Sequence, residues 1–168
     1  MVWKKLGIVV LFLSSFSCIR FYQDSKGGFR PVNPKFTLGP QNFILNNKID
    51  TLAIYVKTDT LKYGKYKSIF YLKFYNNARF YISAINVGKK LTKSNLKPGD
   101  IGFYNSFKKT IEIEYFIVNP ENKCNTKYVK LKGIIKGDSL IFNNRFVKGD
   151  KDIYVKQKID FIPELSNW

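Results

Sequence analysis

Histidine is missing from all 168 residues. That absence excludes Ser-His-Asp and Cys-His nucleophilic schemes and removes the commonest transition-metal ligand. Cysteine is almost missing, with only Cys18 and Cys124 present, so no disulfide framework is available. Long hydrophobic runs are missing too. The stretch Leu6 to Phe16 has eleven residues, about 17 Å of helix at about 1.5 Å per residue. A spanning helix needs about 20 apolar residues, so this run does not encode a permanent protein anchor. No motif in the chain carries chemistry. We assign no catalytic residue, no metal ligand and no cofactor, and expect a protein that is not an enzyme.

What is present begins with a leader. Lys4 and Lys5 precede the apolar run, and it closes on Ser17-Cys18. This basic, apolar, small-residue order predicts a signal-peptide helix over residues 1–17. Ser15-Phe16-Ser17-Cys18 resembles a bacterial lipobox, although Phe16 stands where a small residue is usual and Leu13 lies one place too far out. The resemblance implies cleavage before Cys18, acylation of its thiol and attachment to a membrane through the acyl chains. Ile19 to Asp24 lack the acidic cluster carried by surface-exported lipoproteins of Bacteroidota. That implies an outer-membrane address on the periplasmic face. Each buried acyl methylene contributes about 0.8 kcal/mol, so two or three chains hold a soluble domain at a bilayer. Cys124 is then solitary, in a loop where only Lys123 would depress its pKa, and an inert thiol is expected.

The formal charge is +17, and +15 once residues 1–17 with Lys4 and Lys5 are removed. Such an excess invites a nucleic-acid reading. An exported protein meets little nucleic acid, however, and these charges are mostly lysines scattered over strands and turns. Richness in Lys, Asn, Ile, Phe and Tyr is also what AT-rich codon usage produces. A solvated surface is the simpler reading, and an anionic lipid headgroup or envelope glycan is the partner that suits the compartment.

Residues 18–48 carry Lys26-Gly27-Gly28, Arg30-Pro31, Asn33-Pro34 and Gly39-Pro40. This density of breakers predicts a flexible tether after the acylated Cys18. Residues 49–168 change to alternating strands bounded by turn residues. Strands are expected over 51–57, 67–75, 78–86, 101–107, 110–118, 127–136, 139–143 and 152–159. Asn76-Asn77 is the expected site of positive φ between two of them, and Phe161, Ile162, Pro163 and Trp168 form an apolar tail. No helical period appears. The pattern predicts an all-β fold, an antiparallel meander of about eight strands closed or nearly closed into a barrel.

The succession Phe74-Tyr75-Asn76-Asn77-Ala78-Arg79-Phe80-Tyr81, Pro98-Gly99-Asp100-Ile101-Gly102-Phe103-Tyr104, Glu112-Ile113-Glu114-Tyr115-Phe116 and Gly133-Ile134-Ile135-Lys136-Gly137-Asp138 resembles small lipocalin-like β-barrel lipoproteins of Bacteroidota. The resemblance spans residues 51 to about 162 and carries no catalytic residues.

Glu112 and Glu114 share one strand face. Paired carboxylates can perform acid–base chemistry, but Lys130 and Lys132 on a neighbouring strand make a cross-strand charge ladder the simpler expectation. Tyr71, Tyr75, Tyr81 and Tyr104 are expected on the face opposite Phe70, Phe74 and Phe80. There they are candidates for holding a small apolar or amphiphilic ligand, or for stacking on sugars, although Tyr also favours strands by shape alone. Arg79 and Arg145, each beside a turn, are candidates for meeting an anionic group at a barrel mouth. Two functions follow: a carrier of a small amphiphile or envelope component, or an interaction module presenting a Tyr/Lys-rich sheet face. An empty interior favours the first and a packed one the second.

Overall fold

The computed structural model describes residues 19–25, 27–43, 47–58, 61–63, 66–92, 94–119, 122, 125–144 and 147–160. The leader, Cys18, Cys124, Arg145 and the apolar tail lie outside the described residues. A hairpin of β1 (Phe21–Gln23) and β2 (Phe29–Pro31) comes first, then a 3-10 turn at Pro40–Asn42. The remaining strands are β3 (Ala53–Lys57), β4 (Leu61–Tyr63), β5 (Tyr66–Phe74), β6 (Arg79–Asn86), β7 (Asp100–Phe107), β8 (Thr110–Val118), β9 (Thr126–Lys136), β10 (Ser139–Asn143) and β11 (Lys151–Lys158). Consecutive antiparallel pairing from β5 to β11, with β3 bonded to both β11 and β5, closes an eight-stranded barrel. β4 is a short appendage on β5. The eight expected strands are β3 and β5 to β11, and the described residues contain no α-helix.

Alternation sends successive side chains to opposite faces, and register then decides the barrel's contents. Leu72 pairs with Ile82, Phe74 with Phe80, Phe80 with Gly102, and Tyr104 with Ile113. All of these point inward. Phe74, Phe80, Tyr104, Leu72 and Leu140 are left with no accessible surface. Their rings meet edge to face or stacked, with Phe74 4.8 Å from Tyr104 and 5.6 Å from Phe80 between centroids. The Tyr104 hydroxyl escapes the apolar interior by donating to the Tyr75 carbonyl at 2.7 Å, as a buried phenol requires. Tyr104 therefore lies inside, not with the other three tyrosines. Register sets this: inward Phe80 pairs with Gly102 and outward Tyr81 with Ile101, so Gly102 and Tyr104 share the inward side of β7.

The turns at 76–78, 108–109 and 137–138 gather at one barrel end. Ile49 and Phe43 close this end by joining the interior cluster, with Phe43 5.1 Å from Tyr104. Toward the other end Phe70, Ile82, Ile117 and Leu131 are only partly buried. The left-handed residue of the 76–78 turn is Ala78, at φ 68° with its methyl fully buried, rather than Asn76 or Asn77. A three-residue hairpin loop places that conformation at its third position. Lys108 also adopts positive φ, 54°, at a cost of about 1 kcal/mol relative to glycine.

A second apolar cluster lies outside the barrel. Between β6 and β7 the chain lays Leu91 and Leu96 over Ile54, Val56, Tyr71, Tyr81 and Ile101.

Inward glycines make room for the rings. An added Cβ at Gly102 would run into the Glu114 carbonyl oxygen and the Phe80 ring, whereas at Gly39 it would meet nothing within 4 Å. Gly102→Ala is expected to lower unfolding free energy by about 1–3 kcal/mol, and Gly39→Ala to leave it unchanged, both read from denaturant midpoints. Equal midpoints for the two variants would contradict the packing described.

Candidate functional site

Sequence reading expected residues 18–48 to be a tether. From Ile19 to Phe43 the chain is instead a strap packed along the outside of β7, β8 and β9. Three devices hold it. Phe21 packs on Phe116, at 6.4 Å between centroids, while Phe36 sits between Phe103 and Tyr128 at 5.2 and 4.9 Å. Arg30, 1% exposed, donates from its guanidinium to the carbonyls of Gly27, Phe29 and Gly99, with Asp24 3.6 Å away. Burial lowers its pKa from the ordinary arginine value, opposed by Asp24 and Asp100. The third device is Glu114.

Glu114 does not belong to a charge ladder. It is 4% exposed, and its Oε2 accepts hydrogen bonds from the Thr37 amide at 2.6 Å, the Leu38 amide at 2.7 Å and the Thr37 hydroxyl at 3.1 Å. Lys130, its register partner, turns to the Thr37 hydroxyl at 3.2 Å. Only Glu112 keeps the expected ladder, 3.5 Å from Lys130 and 3.6 Å from Lys132. The two carboxylates are thus divided between a strap clamp and a surface ion pair, an arrangement with no shared reaction centre.

The candidate tyrosines are not a binding face. Tyr71 and Tyr81 point outward, as expected, but both are fully buried beneath residues 87–99. Tyr71 donates to the Lys97 carbonyl at 2.7 Å, and its ring meets Tyr81 edge to face at 5.9 Å. Tyr75, partly buried, stands 6.2 Å from Tyr81. Desolvation pushes the pKa of all four phenols, Tyr71, Tyr75, Tyr81 and Tyr104, upward. They stay neutral and serve packing. Arg79 lies half-buried at the edge of a hollow of about 410 Å³ between the strap and the barrel, beside Phe103, Phe36 and Pro40.

Sequence reading missed Lys73, which faces outward between Tyr71 and Tyr75 and is 0% exposed. Its ammonium donates to the carbonyls of Thr51 at 2.7 Å and Ala53 at 3.2 Å and lies 5.6 Å from the Tyr75 ring centre. Desolvation lowers its pKa to about 8, with Asp50 opposing. At the barrel ends, inward Lys57 pairs with Asp152 at 2.8 Å, and Lys156 binds Asp138. Among the described residues no group of His, Cys, Asp and Glu could hold a metal, and no helix is long and apolar enough to cross a membrane.

Among the described residues, the outer wall of β9 to β11 beyond the strap carries exposed side chains. Lys130, Lys132 and Lys136 of β9 are exposed there. Comparison with protein-family models, with curated proteins and with solved structures finds no match to this chain.

Removing the clamp should release the strap alone. In Glu114→Ala the Thr37 and Leu38 amides are expected to exchange rapidly with solvent and a protease to cut within residues 30–43, while β5 to β8 stay protected. Unchanged protection at Thr37 would contradict the clamp.

The low pKa of Lys73 fixes a sign. Between about pH 8 and the ordinary lysine range near 10.4, the unfolded chain holds a proton that the folded chain has lost, so this group's contribution to stability rises with pH. The difference in melting temperature between the protein and Lys73→Met is expected to move in the protein's favour from pH 7 to 10. A difference that stays flat over that range would contradict it.

Proposed function

We propose that this is an exported, non-enzymatic protein, acylated at Cys18 and held at the periplasmic face of the outer membrane, that works as an interaction module through its outer surface. The single observation that carries the second half of this reading is the filled barrel. Phe74, Phe80, Tyr104, Leu72 and Leu140 have no accessible surface, which supports a packed interior over a hollow, ligand-holding one. The leader and Ser17-Cys18 support the first half. The packed strap bears on this reading, because Phe21, three residues after Cys18 in sequence, packs on Phe116 of the barrel wall.

A specific observation favours a second reading. The inward Phe70, Ile82, Ile117 and Leu131 remain partly exposed toward one mouth, which offers a small amphiphile an apolar seat without requiring an empty interior.

Native mass spectrometry of the protein extracted from its own membrane tests both readings. The interaction reading expects the mass of the chain from Cys18 onward plus two or three acyl chains, with any companion being a macromolecule. A reproducible small amphiphile bound beyond those acyl chains would favour the mouth-binding reading, and an unacylated N-terminus would overturn the lipoprotein assignment.

A further inference from the structure

The N-terminal hairpin sits at the open end of the barrel. Arg30 of β2 donates to the carbonyl of Gly99, the residue before β7 begins at Asp100. Phe21 of β1 packs on Phe116, two residues short of the mouth end of β8 at Val118. The Val32 amide donates to the Arg20 carbonyl at 2.9 Å, which ties the chain to the hairpin two residues after Cys18. Three residues of chain reach at most about 11 Å, and this bounds the distance from Phe21 to Cys18. Thr110, at the closed end, stands six residues along β8 from Phe116, about 20 Å of strand at about 3.3 Å per residue.

The mouth at this end is open and chemically mixed. Ala84, the register partner of Phe70, and Lys127, the partner of Ile117, point inward there and are exposed. In the surrounding turns Val87 is 45% exposed and Val147 50%, and Lys89, Lys90 and Lys148 are exposed beside them. Among the described residues of these turns the exposed acid is Asp150, while inward Asp152 is held by Lys57 at 2.8 Å. Lys108, Lys109 and Lys136 give the closed end the same sign, so charge alone does not choose between the two ends. The tether does.

We propose that acylated Cys18 holds the barrel with its open mouth against an anionic bilayer. The rim lysines then meet headgroup phosphates, and the apolar seat of Phe70, Ile82, Ile117 and Leu131 faces lipid acyl chains. The proposal rests on the reading that Cys18 is acylated. It deepens the mouth-binding reading, because an acyl chain of a membrane lipid reaches the seat without crossing water. Acyl chains entering the bilayer within about 11 Å of Phe21 bring the mouth to the surface and leave the closed end above it. A contact made on so short a leash is nearly intramolecular, so individually weak rim contacts suffice to orient the domain. Lysine stems lie along apolar matter while their ammonium groups reach phosphate. A protein partner would instead favour Trp, Tyr and Arg at the contact.

The test is site-directed fluorescence quenching on the membrane-extracted protein, returned to vesicles of phosphatidylcholine with phosphatidylglycerol. Cys124→Ser leaves Cys18 as the native cysteine, its thiol taken up by acylation, and one new cysteine carries the fluorophore. Lys127→Cys and Lys148→Cys report the mouth, Lys132→Cys the β9 wall, and Lys109→Cys and Lys136→Cys the closed end, all at exposed positions. Circular dichroism melts confirm that each variant is folded. A doxyl-labelled phosphatidylcholine in the vesicles quenches whatever lies at the bilayer. The expected result is a large loss of fluorescence at Lys127 and Lys148, a smaller one at Lys132, and little at Lys109 and Lys136. The loss at the mouth should shrink in vesicles of phosphatidylcholine alone. Quenching at the wall or the closed end that equals or exceeds that at the mouth would overturn the proposal. So would mouth quenching that phosphatidylglycerol does not increase. If either occurred while mass spectrometry still found the acyl chains, the orientation alone would fall and the lipoprotein assignment would stand. An unacylated chain would overturn both.

Discussion

The filling of a closed barrel by aromatic rings is the constraint on which the rest of this molecule depends. Eight strands enclose only enough space for side chains or one small ligand, and here Phe74, Phe80 and Tyr104 occupy it with centroids 4.8–5.6 Å apart. Rings of that size need a small register partner on the neighbouring strand, and Gly102 stands beside Phe80 and Gly133 beside Phe142. A phenol in such a space must carry its hydroxyl to a polar partner. Tyr104 does so at the Tyr75 carbonyl, and Tyr55 accepts from the Asp50 amide at 2.9 Å, both near the closed end. The inward charges are likewise confined to the two ends, as Lys57 with Asp152 and Lys156 with Asp138.

Beside the filled interior, part of the described outer surface is also covered. Residues 87–99 cover Tyr71 and Tyr81, and the strap covers much of β7, β8 and the start of β9. A single buried carboxylate, Glu114, gathers three donors from the strap onto one oxygen. Hydrogen bonds to a charged acceptor contribute about 1.5–3 kcal/mol each, so this clamp is the strongest polar link between the two layers. Among the described residues, the lysine-bearing wall of β9 to β11 lies beyond both covers.

The barrel itself was legible because its strands alternate cleanly. In β8, Ile111, Ile113 and Tyr115 fall on the buried side, and Gly137-Asp138 announces the β9–β10 turn. The strap was not legible, because Gly and Pro mark a break in regular structure and do not report whether the irregular chain is packed. Its anchors, Phe21, Phe36 and Arg30, look like surface residues until the distant partners Phe116, Tyr128 and Gly99 are known. Glu114 misled for the same reason. Its register partner is Lys130, as a ladder requires, yet two backbone amides 76 and 77 residues away in sequence outcompete that lysine for its oxygen. The candidate tyrosines were placed on the correct face in three cases of four, but burial beneath residues 87–99 depends on Leu91 and Leu96, two apolar residues in a segment that reads as polar.

The inference from filled interior to outer-surface function is tested most directly by a crystal structure of the protein under xenon pressure, since xenon enters apolar voids too dry for water. The account predicts no xenon site among Phe74, Phe80, Tyr104 and Leu140. A xenon peak there, or an ordered ligand from the native source in that volume, would contradict it.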